Sequence, residues 1–262
     1  DTRITLAVTA FAESKRGNFA WIKECIAAAI IHPLVREITV VNDATNDIDD
    51  LWNAIVDCPK VRLLQNKQNL GVFGNKVTSV LRSTSDWVVM ADSDNTMGAD
   101  YFDKLAELKP WDSNVWYSPC RGIPNLEYEN FVGDIAVSNM PDVVAKSMAT
   151  NNMWWCLANT GNWFVNRRRF LEVFKEIPVY RFDLRQPDYY GVSDRSEEHW
   201  LRAYDAQDSF YINKIWWEAG GVMRVVDGLQ YQHRVDKGAP GNYDRSPIEK
   251  EALAPAYYLE LL

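Results

Sequence analysis

The chain has 262 residues, 47% of them apolar and 24% charged, with a net charge of −8. That composition suits one large domain or two small ones with a substantial core, and it excludes extended disorder. Its 36 acidic residues against 28 basic ones disfavour a phosphate-backbone binder working by bulk charge, so no nucleic acid partner is expected.

No apolar run approaches the roughly 18–20 residues of a membrane helix. The longest, CIAAAII over 25–31, is short, and no membrane span is expected. Cys25, Cys58, Cys120 and Cys156 lie far apart without CxxC spacing. They suit a reduced compartment rather than a zinc knuckle, and the expected location is the cytoplasm or the cytosolic face of a membrane. The start at Asp1, with neither initiator Met nor leader, implies a trimmed chain or a piece of a longer protein.

The first half alternates strand and helix patterns. Residues 4–10 (ITLAVTA) read as a buried strand. Residues 19–31 carry apolar side chains at helical spacing and stop at Pro33. A second strand over 37–41 ends in Asn42 and Asp43, and a helix follows over 48–56. A third strand over 61–64, a helix over 71–82 and a fourth strand over 87–91 (WVVMA) complete the series. Such alternation predicts a mixed, mostly parallel central sheet flanked by helices, with ligands bound beyond the carboxyl ends of the strands.

The second half is less regular. Helices are expected over 98–108, 142–149, 167–175 and 209–219, and strands over 115–118, 162–165 and 222–226. Residues 122–133 are too mixed to assign, and 181–195 and 236–244 read as loops. With no repeat and no linker, one domain is the simplest account. It divides into a first half (1–95), a second half (96–246) and a C-terminal helix (247–262).

Asp92-Ser93-Asp94 follows the fourth strand directly. Two carboxylates one residue apart at a sheet edge suit Mn²⁺ or Mg²⁺, which then neutralises a diphosphate. The same tripeptide also makes an ordinary turn leading into a helix, so the motif leaves both readings open by itself.

The chain resembles a nucleotide-sugar glycosyltransferase of the GT-A fold, a Rossmann-like α/β architecture, close in pattern to the inverting family 2. Thr9-Ala10-Phe11 stands where that family has its Pro-Thr/Ala-Tyr-Asn turn. VVNDATND over 40–47 resembles its Val-Asp-Asp-Gly-Ser-Thr-Asp segment. NKQNLGVFGN over 66–75 resembles its Asn-x-Gly segment, and Asp92-Ser93-Asp94 matches its DxD motif. GNWFVNRR over 161–168 is similar to Gly-Gly-Asn-x-x-x-Arg-Arg, and Gln207-Asp208 followed by Gly220 to its Glu-Asp pair. Asn42, Ala44 and Gln207 depart from the pattern, replacing an Asp, a Gly and a Glu.

The resemblance implies a role for each matched position. Thr9, Ala10, Phe11, Glu13, Asp43, Asn69, Gly71, Asn75, Asp92 and Ser93 would line the donor nucleotide. Asp94 would bind the cation, with Asp92 and His233 as further ligands. Asp208 would be the general base, and it also fits a helix cap. Trp163 and Asn162 would meet the acceptor. The expected reaction moves a sugar from a nucleotide-diphosphate donor to the hydroxyl of a glycan or glycoconjugate, with inversion. Two rivals are a sugar nucleotidyltransferase, disfavoured because 9–18 holds Gly17 alone, and a non-catalytic carbohydrate-binding module, disfavoured by the intact DxD.

Overall fold

In the computed structural model of the protein, the residues described are 2–15, 19–124, 126–150, 162–174, 213 and 215–234. The first half follows the expected alternation: β1 (Ile4–Ala10), α1 (Ala20–Ile31), β2 (Val35–Asn42), α2 (Ile48–Ile55), β3 (Val61–Gln65), α3 (Gly71–Arg82), β4 (Trp87–Asp92) and α4 (Ala99–Glu107). The second contributes β5 (Val115–Ile123), β6 (Leu126–Glu127), β7 (Gly133–Ile135), α5 (Met140–Thr150), β8 (Asn162–Asn166), α6 (Arg167–Phe174) and β9 (Val222–Gln232).

Local sequence explains these elements. In α1 the buried residues Ile22, Cys25, Ile26 and Ala29 recur at helical spacing, giving one apolar stripe. The helix stops because His32, ahead of Pro33, is extended (φ −72°, ψ 130°). The expected loops over 181–195 and 236–244, residues 209–212 and 214 of the expected 209–219 helix, and the 247–262 helix lie outside the described residues.

One sheet runs in the order β3-β2-β1-β4-β8-β5-β9-β7, with β6 hooked onto β5. Strands β3, β2, β1 and β4 are mutually parallel, β8 is antiparallel to β4 and β5, and β9 is parallel to β5. Side chains alternate between two cores, as strand geometry requires. Leu6, Val8, Val89 and Ala91 pack with α1 and α4, while Ala7, Val88 and Met90 pack on the opposite face with Val77, Val80 and Phe170. Covering both faces explains why β1 is a nearly continuous apolar run.

Two strands exceed their expected lengths. β5 continues to Ile123 and β9 to Gln232, held together through Arg121↔Gln230, Gly122↔Tyr231 and Ile123↔Gln232 beyond a register shift. Gly228, at φ 72°, supplies the backbone conformation within β9 there. The unassigned 122–133 stretch holds β6, a 3-10 turn over Glu129–Phe131 and the start of β7.

At the amino-terminal end of the strands, buried Glu37 pins four segments. Its carboxylate accepts hydrogen bonds from Thr5 Oγ1 (3.0 Å), Thr84 N (3.0 Å) and Thr84 Oγ1 (2.7 Å) and pairs with Arg62. Burial pushes its pKa up, but the donors led by Thr84 outweigh it and hold the carboxyl below its ordinary value.

Candidate active site

Register brings the polar strand ends to one edge. Ala10 lies opposite Asn42, Thr9 opposite Asp92, and Ala91 opposite Asn162. Because β8 runs against β4 and β5, its first residue and the last residues of β9 reach this same edge. Thr96 and Gln232 exchange backbone hydrogen bonds (2.9 and 2.8 Å), tying the turn after β4 to the end of β9.

The turn after β1 is braced from beneath. Ala12 takes a left-handed backbone (φ 53°), and Glu13 is 0% exposed. Glu13 Oε1 accepts from Phe11 N (3.2 Å) and from Ser93 Oγ (2.6 Å). The Glu13 and Ser93 side chains therefore buckle the β1 turn to the DxD turn. Both side chains are buried, with Ser93 donating to Glu13, so the part this structure gives them is to hold the two turns together. Phe11 stands at the rim, 43% exposed.

Beyond β2, Asp43 is 3% exposed, with its Oδ1 accepting from Asn66 Nδ2 (2.8 Å) and Leu70 N (2.9 Å). Burial raises its pKa, against the opposing pull of Asn66, Leu70 and Gly71. Ala44 has φ 59°, so the left-handed conformation persists where the family pattern has Gly. For an L-residue this costs about 1 kcal/mol.

Asn69 and Asn75 serve the framework. Asn69 Oδ1 accepts from Gly71 N (2.8 Å), and Gly71 sits at φ 72°. Buried Asn75 takes Asn66 Nδ2 on its Oδ1 (3.1 Å) and donates to Val41 O (3.2 Å). The Asn75 amide thus straps the start of α3 to β2, while exposed Asn69 shapes the loop ahead of it through a local turn. Asn66, which unites Asp43 and Asn75, is a site residue that sequence reasoning did not single out.

The DxD turn closes the edge. Asp92 Oδ1 accepts from Thr9 Oγ1 (3.0 Å) and pairs with Lys76 Nζ (3.4 Å). Ser93 N bonds to Thr9 O (3.2 Å) and Asn95 N to Asp92 O (3.1 Å), so Asp94 projects from a tightly held turn. The Cys25 thiol below is pushed well up by burial first and then by Asp94, Glu13 and Asp92, so it stays neutral. His233 is anchored through its N to Ile123 O (2.8 Å). Burial lowers its pKa while Asp92 pulls the other way, placing the imidazole within the field of the motif.

Among the described residues, no three His, Cys, Asp or Glu side chains form a ready-made metal cage. Asp92 and Asp94, with His233 within the electrostatic reach of Asp92, are the residues that could hold a cation, provided diphosphate oxygens complete its shell as is common for Mg²⁺. Asp208 lies outside the described residues.

Trp163 does not line the edge. It is fully buried, stacked on Phe170 (5.1 Å between ring centroids) and packed on Trp116 (4.4 Å). No ring face remains for a sugar, which corrects the expected acceptor role. Its neighbour Asn162 is buried at the edge, accepting from Tyr101 Oη at 2.5 Å.

No helix of the described residues is long and apolar enough to cross a membrane. No curated protein matches the chain by sequence. By structure it is similar to S. aureus TarS 1–349 in complex with UDP-GlcNAc, at 13% identity and a TM-score of 0.54, covering 90% of this chain and 60% of that one. Against the longer S. aureus TarS the figures are 12%, 0.55, 89% and 37%. A mannosyltransferase from Pyrobaculum calidifontis, in complex with GDP-Man and Mn²⁺, is similar at 13% identity and a TM-score of 0.50, covering 90% and 58%. The chain thus spans less than two thirds of these structures, and the likeness establishes the GT-A fold. The family model described as glycosyl transferase family 2 matches residues 5–202, and the chain belongs to that family of transferases.

Proposed function

We propose that the chain moves a sugar from a nucleotide-diphosphate donor to a hydroxyl of a glycan or glycoconjugate, with inversion and with Mn²⁺ or Mg²⁺. The observation that carries this reading is the convergence of Asp43, Asp92 and Asp94 at the carboxyl edge of the parallel strands. Proteins of the same fold whose structures hold UDP-GlcNAc, or GDP-Man with Mn²⁺, support it.

Asp43, held by Asn66 and Leu70, accepts a hydrogen bond from the base or ribose, and the exposed Phe11 ring covers the nucleotide. Asp92 takes the ribose or a metal-bound water. Asp94 would hold the cation, with His233 near Asp92 as a further candidate ligand, and the cation would offset charge on the departing diphosphate. Asp208 accepts the proton of the acceptor hydroxyl as its oxygen bonds to the anomeric carbon. The anomeric carbon–oxygen bond to the diphosphate breaks in the same step, and the nucleoside diphosphate leaves with that electron pair. Asn162, at the edge, orients the acceptor.

The general base is tested by steady-state turnover with a bound donor. Asp208→Asn is expected to lower kcat by at least a hundredfold, with donor affinity within about threefold of wild type. A variant retaining wild-type turnover would remove Asp208 from the mechanism.

A further inference from the structure

Lys76 is the one strongly buried lysine among the described residues, 2% exposed within α3, and its Nζ lies 3.4 Å from Asp92 Oδ1. Helix α3 carries no DxD residue, yet it delivers a cation to the underside of the motif. A buried ammonium is costly unless paired, so the ion pair also explains why Lys76 tolerates its place. Thr9 Oγ1 donates to the same Asp92 oxygen at 3.0 Å. Two donors fix that oxygen from inside, while about a third of the Asp92 side chain (32%) remains accessible.

We propose that Lys76 is a positioning residue that orients Asp92 and partly offsets the negative charge of the DxD turn. This inference rests on the donor-site reading above. Asp92 then serves the donor more than the cation: its inner oxygen is engaged by Thr9 and Lys76, and Asp94 carries most of the metal affinity. The Lys76 charge also lowers the repulsion that a diphosphate meets at this carboxylate-rich edge of an acidic chain, with or without a divalent ion.

The two consequences have opposite signs. Deleting the charge leaves Asp92 a stronger attractor for a cation and a stronger repeller of a diphosphate. Lys76→Met should therefore tighten Mn²⁺ binding, read without nucleotide from the electron-spin signal of free Mn²⁺, by roughly threefold to tenfold. The same variant should weaken nucleoside-diphosphate binding in EDTA, read by calorimetry with the nucleotide that wild type prefers, by about tenfold. Lys76→Gln keeps a donor and nearly the length while dropping the charge, so it carries the same comparison if the Met variant does not fold. Lys76→Arg, which keeps the charge, should leave Mn²⁺ affinity near wild type.

Parallel loss of both affinities would reduce Lys76 to a structural prop and overturn the proposal, as would no change in either. Failure of wild type to bind any nucleoside diphosphate is a separate outcome, one that removes the donor-site reading and this inference with it.

Discussion

Asp43 is an ionisable group where charge is disfavoured: buried, with its carboxylate serving Asn66 and Leu70 and its pKa raised by burial. A buried carboxylate of this kind penalises the fold where it is ionised, above its folded pKa, and the penalty vanishes below the unfolded value. Asp43→Asn keeps an acceptor for both donors and removes the charge. Thermal unfolding of this variant should show a higher midpoint than wild type at pH 8, with the gain fading towards pH 4. Nucleotide affinity should fall by about tenfold, the cost of one charge-assisted hydrogen bond. Loss of stability at pH 8 together with unchanged affinity would contradict the role. Asp43 was legible in the sequence because it follows a β-branched run. Lys76 was not, since a lysine in an amphipathic helix has no local mark that separates a buried ion pair from a solvated face. The place of Glu13 in the turn was readable, but its burial against Ser93 was not, since it depends on a contact 80 residues away.

At the scale of elements, the strands of the first half were readable because both faces are covered, leaving apolar runs punctuated by polar ends. The same covering hid the fate of Trp163. In β8 the burial pattern is continuous from Asn162 to Val165, so no alternation distinguishes a ligand-facing residue from a core one. The structure assigns Trp163 to the aromatic cluster with Trp116 and Phe170. Trp163→Ala should accordingly destabilise the chain by about 4 kcal/mol in denaturant unfolding, the scale of a large core truncation. An acceptor platform would instead leave stability near wild type and raise the acceptor KM. The long β9 escaped reading because its second half, from Asp227 to Gln232, mixes polar residues with Gly228. It is held by pairing to β5 rather than by its own pattern. That extension matters to the site, since it delivers His233 to the edge.

Across the whole molecule, one sheet joins the strands of residues 1–95 to those of the later described residues. Three turns after β1, β2 and β4 then meet the end of β9 on one side. The chain is acidic overall, with a net charge of −8, and the edge itself is rich in carboxylates, whereas the proposed donor carries a diphosphate. Such a ligand needs local positive charge, which Lys76 supplies in part and a divalent cation at Asp94 would complete. Calorimetric titration of UDP, GDP, dTDP and CMP, each with Mn²⁺ and with EDTA, on wild type and Asp94→Ala tests this most directly. The account predicts that one nucleotide binds wild type, at least tenfold tighter with Mn²⁺, and that Asp94→Ala abolishes the Mn²⁺ enhancement. Binding of none of them under either condition would contradict it.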